Sequence, residues 1–156
     1  MMLKKSLVLT AVACLGLPMV SMAEEPPIEA YKAWTATKDH TIWAPLGGLK
    51  GDPAKGRKLA IASAKGNCLA CHELPIPEEG FHGEVGPNLS GLASRYTEGE
   101  IRMRIVDIQV LNPASLMPPM YKNPAELKNV AKKYVGRTIL TAQEVEDVVA
   151  YLMTLK

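Results

Sequence analysis

Two stretches of the chain carry apolar residues at helical spacing behind a recognisable start signal. Ile101, Ile105 and Ile108 form one stripe, and Thr97-Glu98-Gly99-Glu100 ahead of it has the pattern of a capping box, in which a threonine hydroxyl and a glutamate three residues on satisfy each other's backbone N–H groups. This predicts a helix to about Val110, stopped by Asn112-Pro113 because the residue before a proline avoids helical angles. Val145, Val148, Val149 and Leu152 form the second stripe, behind the capping box Thr141-Ala142-Gln143-Glu144, and predict a helix running nearly to the C-terminus. A third helix is expected from Asp52-Pro53, an N-cap followed by proline at the first helical position, through about Ala64.

The segments between these helices lack sustained periodicity. Residues 24–51, punctuated by Pro26-Pro27, Pro45 and Gly47-Gly48, read as an irregular arm packed on the domain or on a partner. Residues 73–91 are rich in proline and glycine and read as loop. Pro113, Pro118, Pro119 and Pro124 make 113–124 an extended loop, and Glu126 to Tyr134 is expected to form a short helix with Lys128, Lys132 and Lys133 on a solvated face. Three main helices separated by loops, with no repeat or low-complexity tract, predict an all-α fold.

At the N-terminus, Lys4 and Lys5 precede an apolar run from Leu7 to Leu17, and Ser21-Met22-Ala23 supplies small residues at the positions a signal peptidase reads. The run is shorter than the roughly 20 apolar residues of a membrane span. The expectation is therefore a cleaved export signal at 1–23, cut after Ala23, then an arm at 24–51 and a domain at 52–156. Cys14, late in that run, raises the alternative of a lipid-bearing cysteine, although Ala11 stands where a lipobox usually has leucine. Export points to a bacterial periplasm.

Cleavage would remove two lysines and leave 16 basic against 16 acidic side chains, so net charge gives no reason to expect a nucleic-acid partner. One Phe, two Trp and five Tyr are a thin supply of large apolar side chains for a core. A buried porphyrin would fill that deficit.

The chemistry is concentrated in Cys68-Leu69-Ala70-Cys71-His72. C-x-x-C-H is the signature of covalent c-type haem attachment: two thiols about one helical turn apart each add to a haem vinyl group, and the adjacent imidazole then lies under the iron. A thioredoxin-like redox pair and half of a zinc site are the competing readings, and no second cysteine pair exists to complete a zinc site. Holding two thiols ready for haem also suits an oxidising compartment. One haem c per chain is expected, with Cys68 and Cys71 as thioethers and His72 as an axial ligand.

Of the methionines that survive signal removal, Met103 and Met153 fall in expected helices and read as core. Met117 and Met120 lie in the loop Ser115-Leu116-Met117-Pro118-Pro119-Met120-Tyr121, far enough from His72 to cross to the other face of the ring. A thioether there would stabilise ferrous iron and close both axial positions, which suits electron transfer better than binding of a gaseous ligand. His40 and His82 are weaker candidates for the sixth ligand, with no motif around either.

The pattern of helices around one haem motif is the arrangement of a class I cytochrome c. Gly66-Asn67-Cys68-Leu69-Ala70-Cys71-His72, the Met117 to Tyr121 loop and the helix from Ala142 to Leu152 together resemble the sulfur-oxidation cytochromes of the SoxX family. The resemblance runs from Asp52 onward and is weak over the arm. It implies Met117 as the distal ligand, because class I cytochromes place proline directly after that methionine, with Met120 as the alternative. It implies that the Pro87 carbonyl of Gly86-Pro87-Asn88-Leu89 accepts a hydrogen bond from the His72 imidazole, fixing the ring and making it more electron-rich. It further implies that the first and last helices cross, so that Gly56 and Ala60 could receive Val148 and Tyr151.

For function, the resemblance implies a periplasmic heterodimer with a SoxA-like cytochrome subunit that joins thiosulfate oxidatively to a cysteine of a sulfur-carrier protein, the activity of an L-cysteine S-thiosulfotransferase. The bond-forming haem of that family, with its cysteine-derived ligand, belongs to the partner. No cysteine remains in this mature chain once Cys68 and Cys71 are consumed, so it cannot supply such a ligand. It would instead accept the released electrons and pass them to a small soluble cytochrome c. A free periplasmic electron carrier, which should be a functional monomer, and a haem sensor, which needs an exchangeable ligand, are the alternatives.

Overall fold

Each of the three main helices begins where a side chain caps it. In the computed structural model, which describes residues 27–156, Asp52 Oδ1 accepts hydrogen bonds from the backbone N–H groups of Ala54 and Lys55, at 2.9 and 3.2 Å, and opens α1 at Pro53–Ile61. Thr97 and Glu100 form a reciprocal capping box on α2, Glu98–Asp107, and Thr141 and Glu144 form another on α3, Ala142–Leu152. The remaining chain is loop and short 3-10 turns, with no strand among the described residues. The all-α class expected from the sequence stands. The expected export signal, its cleavage after Ala23, and Cys14 lie outside the described residues.

Two boundaries differ from expectation. α1 stops at Ile61 instead of continuing to about Ala64, since Ala62 turns extended and its carbonyl then accepts the N–H groups of both Lys65 and Asn67. Gly66 allows this fold-back: a Cβ there would stand 2.8 Å from the Leu59 carbonyl oxygen. Between Glu126 and Tyr134 no α-helix forms. Single 3-10 turns at Pro124–Glu126 and Lys132–Tyr134 flank Asn129, whose φ of 56° interrupts any continuous right-handed helix. α2 ends as expected, tightening into a 3-10 turn at Ile108–Val110.

The core forms where the apolar stripes meet. Ile101, Met103, Ile105 and Val106 of α2 are buried together with Val145, Val148, Val149 and Leu152 of α3. α1 crosses α3 at backbone contact distance: a Cβ on Gly56 would lie 1.9 Å from the Asp147 carbonyl oxygen and 2.9 Å from Tyr151 Cβ. Tyr151 is thus received at Gly56 as the resemblance implied, but the other group in that notch is the Asp147 main chain. Asp147 itself is buried, and its Oδ1 accepts from Asp52 N–H at 2.8 Å, tying the start of α1 to α3.

The arm is anchored by a buried ion pair that the hydrophobic pattern did not reveal. Arg102 on α2 is fully buried and donates from Nε and a terminal nitrogen to both oxygens of the buried Glu146 on α3, at 2.9 to 3.1 Å. The other terminal nitrogen donates to the Ile42 carbonyl at 2.8 Å, and Glu146 accepts the Leu46 N–H at 2.9 Å. Burial alone would lower the guanidinium pKa, but bonds to Glu146 and Glu98 outweigh it and the value is raised. Ile42 and Leu46 are thereby drawn into the core.

Candidate functional site

The haem-attachment motif folds as one tight turn. Asn67 adopts a left-handed conformation (φ 48°) and turns the chain into a 3-10 helix at Cys68–Ala70. The N–H groups of Cys71 and His72 both bond to the Cys68 carbonyl, at 3.1 and 2.9 Å. Both cysteines are free thiols. Cys71 is exposed, whereas desolvation pushes the Cys68 thiol up to about 11, so it is protonated at neutral pH.

A second segment lies along the turn and fixes it from behind. Gly83 N–H donates to the Leu69 carbonyl at 2.7 Å, Gly86 N–H to the Cys71 carbonyl at 2.7 Å, and Leu89 N–H to the Glu73 carbonyl at 2.9 Å. Neither glycine has room for a side chain. A Cβ on Gly83 would stand 2.0 Å from the Ala70 oxygen, and one on Gly86 would stand 2.3 to 2.8 Å from three atoms of the His72 ring. The Pro87 carbonyl oxygen lies 2.7 Å from His72 Nδ1. A carbonyl can only accept, so Nδ1 carries the proton and Nε2 is left with its lone pair for a metal.

His82 is employed elsewhere. Its Nδ1 accepts from Leu74 N–H at 3.1 Å, and its Nε2 therefore donates to the Ile76 carbonyl at 3.2 Å, closing the loop on itself. With both nitrogens engaged, His82 is no candidate for the iron. His40 sits exposed in a turn with φ 58°.

The two methionines of the proline loop differ in setting. Met120 is buried in the core, its N–H bonded to the Ile105 carbonyl at 3.2 Å and its carbonyl accepting from Leu140 N–H at 3.0 Å. Met117 is half-buried at the edge of the core, and its N–H bonds to Ser115 Oγ at 3.2 Å. Its backbone makes no comparable tie to α2.

These residues fit a covalently held haem by the chemistry of their donors. Two unpaired thiols one turn apart, an imidazole oriented through its other nitrogen, and thioethers on a proline-stiffened loop are the required set. Among the described residues no cluster of three or more His, Cys, Asp or Glu side chains offers a separate metal site. The roles of Gly83, Gly86 and His82 escaped sequence reasoning, although Gly86 lies directly before the proline that drew attention to the loop.

Comparisons with known proteins identify the domain that carries these residues. The family described as Cytochrome c matches residues 53–156. Among solved structures, a chain from the crystal structure of SoxXA from P. pantotrophus is 31% identical, with a TM-score of 0.71, over 79% of this chain and 94% of that one. None of the curated proteins matches. No helix among the described residues is long and apolar enough to cross a membrane.

Proposed function

Since this chain belongs to the cytochrome c family, as a SoxX-type member with a haem electron-transfer role, we propose that it is the electron-accepting subunit of a periplasmic SoxAX-like heterodimer. Cys68 and Cys71 would hold one haem c covalently, and His72 and Met117 would be the ligands to its iron. When bound, that group supplies one-electron exchange between ferric and ferrous iron.

The remaining chemistry falls to the chain's own side chains. Pro87 holds His72 in one tautomer and one orientation, and with both His72 and Met117 as ligands the iron would have no open position for a substrate. Coupling thiosulfate to a carrier-protein thiol forms one sulfur–sulfur bond and releases a proton and two electrons. The haem that Cys68, Cys71, His72 and Met117 would hold would supply one-electron capacity, so this chain would pass those electrons singly to a small soluble cytochrome c. The bond-forming step belongs to the partner, because this chain has no cysteine beyond Cys68 and Cys71 after signal removal.

The observation that carries this reading is the Cys68 to His72 turn with Pro87 at 2.7 Å from the imidazole, together with the likeness to a SoxXA chain. Affinity capture of the chain from periplasm, followed by haem staining and identification of what copurifies, tests it. A second haem protein at equal stoichiometry is expected. A haem-containing monomer with no bound partner would instead make it a free electron carrier.

Met117→Leu should abolish the absorption band of thioether-to-iron ligation and lower the potential, while Met120→Leu leaves the band in place. The reverse result would transfer the distal role to Met120.

A further inference from the structure

Overall charge is balanced, yet the segment beside the haem-attachment turn is not. From Cys71 to Gly91 the chain carries Glu73, Glu78, Glu79 and Glu84 and no lysine or arginine. Arg57 of α1 pairs with Glu78, while Glu73, Glu79 and Glu84 make no ion pair with any described residue. Exposed lysines stand on other segments, at Lys128, Lys132 and Lys133 and along α1 and the turn after it, where Lys55 pairs with Asp52 and Lys65 with Glu144 while Lys58 makes no ion pair with any described residue.

Within the acidic segment stand two apolar side chains that the fold leaves in water, Phe81 at 74% and Val85 at 68% exposure. Gly83, midway between them, is pinned flat on the turn by its bond to the Leu69 carbonyl and lies against Ala70 and Cys71. Both apolar residues are therefore within two positions of the backbone that touches exposed Cys71, a residue through which the cofactor is tethered on the reading above.

We propose that Phe81 and Val85, rimmed by Glu73, Glu79 and Glu84, form the docking surface for the electron acceptor, and that the acceptor is a basic, lysine-rimmed redox protein. The proposal rests on the haem reading and gives its acceptor a charge and a landing site. Charge and the small size of the patch select this occupant. Carboxylates around a redox edge steer a cationic partner and raise its association rate. A patch of two apolar residues ringed by charge also has the small, polar-rimmed character of a transient electron-transfer contact, whereas a permanent subunit interface is larger and depleted of charge at its centre.

Stopped-flow oxidation of the reduced holoprotein, in complex with its partner if one copurifies, by a lysine-rich mitochondrial cytochrome c as probe tests this. The second-order rate should fall about tenfold or more on raising salt from low to physiological ionic strength and beyond. Glu79→Lys with Glu84→Lys should lower the low-salt rate by roughly the same factor after correction for the measured change in potential, with the visible spectrum unchanged. Phe81→Ser should slow it without altering the salt dependence, and Lys132→Glu should not slow it. A rate indifferent to salt and to the glutamate changes, or one slowed by Lys132→Glu, would overturn the docking surface while a stained, reducible protein leaves the haem reading intact. A colourless purified protein would overturn both.

Discussion

Replacing Glu146 with alanine is the most demanding test of how the arm is held. The carboxylate is 3% exposed, accepts three hydrogen bonds from Arg102 at 2.9 to 3.1 Å, and accepts a fourth from Leu46 N–H at 2.9 Å. Its loss strands a guanidinium of zero exposure and a buried amide without an acceptor. Breaking a buried pair by removing one partner costs about 3 to 5 kcal/mol. The half-exposed Glu98 still reaches Arg102, so the low end, about 3 kcal/mol, applies here. For a domain of this size that is a fall of roughly 10 °C in Tm. Urea unfolding of the haem-loaded protein measures the loss, and limited proteolysis should show faster cutting near residues 42–46, where the arm loses its tie to α2 and α3. The double variant Arg102→Met with Glu146→Leu should recover the part of the loss due to the stranded charge, while the Leu46 N–H and the Ile42 carbonyl stay without these partners. A loss under about 1 kcal/mol for Glu146→Ala, or a double variant as damaged as the single, would refute the argument.

Two glycine substitutions probe close approaches. Gly56→Ala should destabilise by about 2 kcal/mol or more, because the new Cβ meets the Asp147 backbone, which cannot turn aside as a flexible side chain could; helix propensity alone favours alanine by about 1 kcal/mol, so a stabilised variant in urea unfolding would show that the helices do not touch as described. Gly86→Ala should drive the His72 ring or its backing segment aside and shift the visible spectrum and potential of the haem-loaded protein, whereas Gly80→Ala, with nothing within 4 Å of the added Cβ, should leave both unchanged. Equal spectra for the two variants would remove the backing role given to residues 83–87.

Sequence legibility followed the range of the interactions. Asp52, Thr97 and Thr141 act on backbone two or three residues away, so the helix starts were readable from single residues. Cys68, Cys71 and His72 were readable because their spacing is itself the chemistry. The failures involve partners distant in the chain or conformations that a pattern does not encode. Arg102 and Glu146 are 44 residues apart, and a charged residue on a helix reads as solvated until its partner is known. Gly83 matters only because Ala70 is beside it, and Asn129 ends a helix through a left-handed φ that asparagine tolerates but does not announce.

The arm also bears on the proposal that Met117, and not Met120, is the iron ligand. Glu29 accepts from Ala142 N–H at 3.0 Å at the start of α3, Lys32 N–H donates to Tyr121 Oη at 2.8 Å, and the Tyr31 and Tyr121 rings stack 5.1 Å apart. Tyr121 N–H bonds to the Val106 carbonyl at 3.1 Å just as Met120 N–H bonds to Ile105. Residues 120 and 121 are thus clamped between the end of α2 and the arm, with the Met120 side chain committed to the core. Met117 lies three residues upstream of that clamp, joined to it through Pro118 and Pro119, whose fixed φ angles limit how far it can swing. On the proposed reading, a ligand needs a short, stiff tether to a fixed anchor together with a side chain that the core does not already enclose. In this loop the anchor is Met120, and Met117, half-buried at the edge of the core, is the side chain less committed to it, which supports its proposed role.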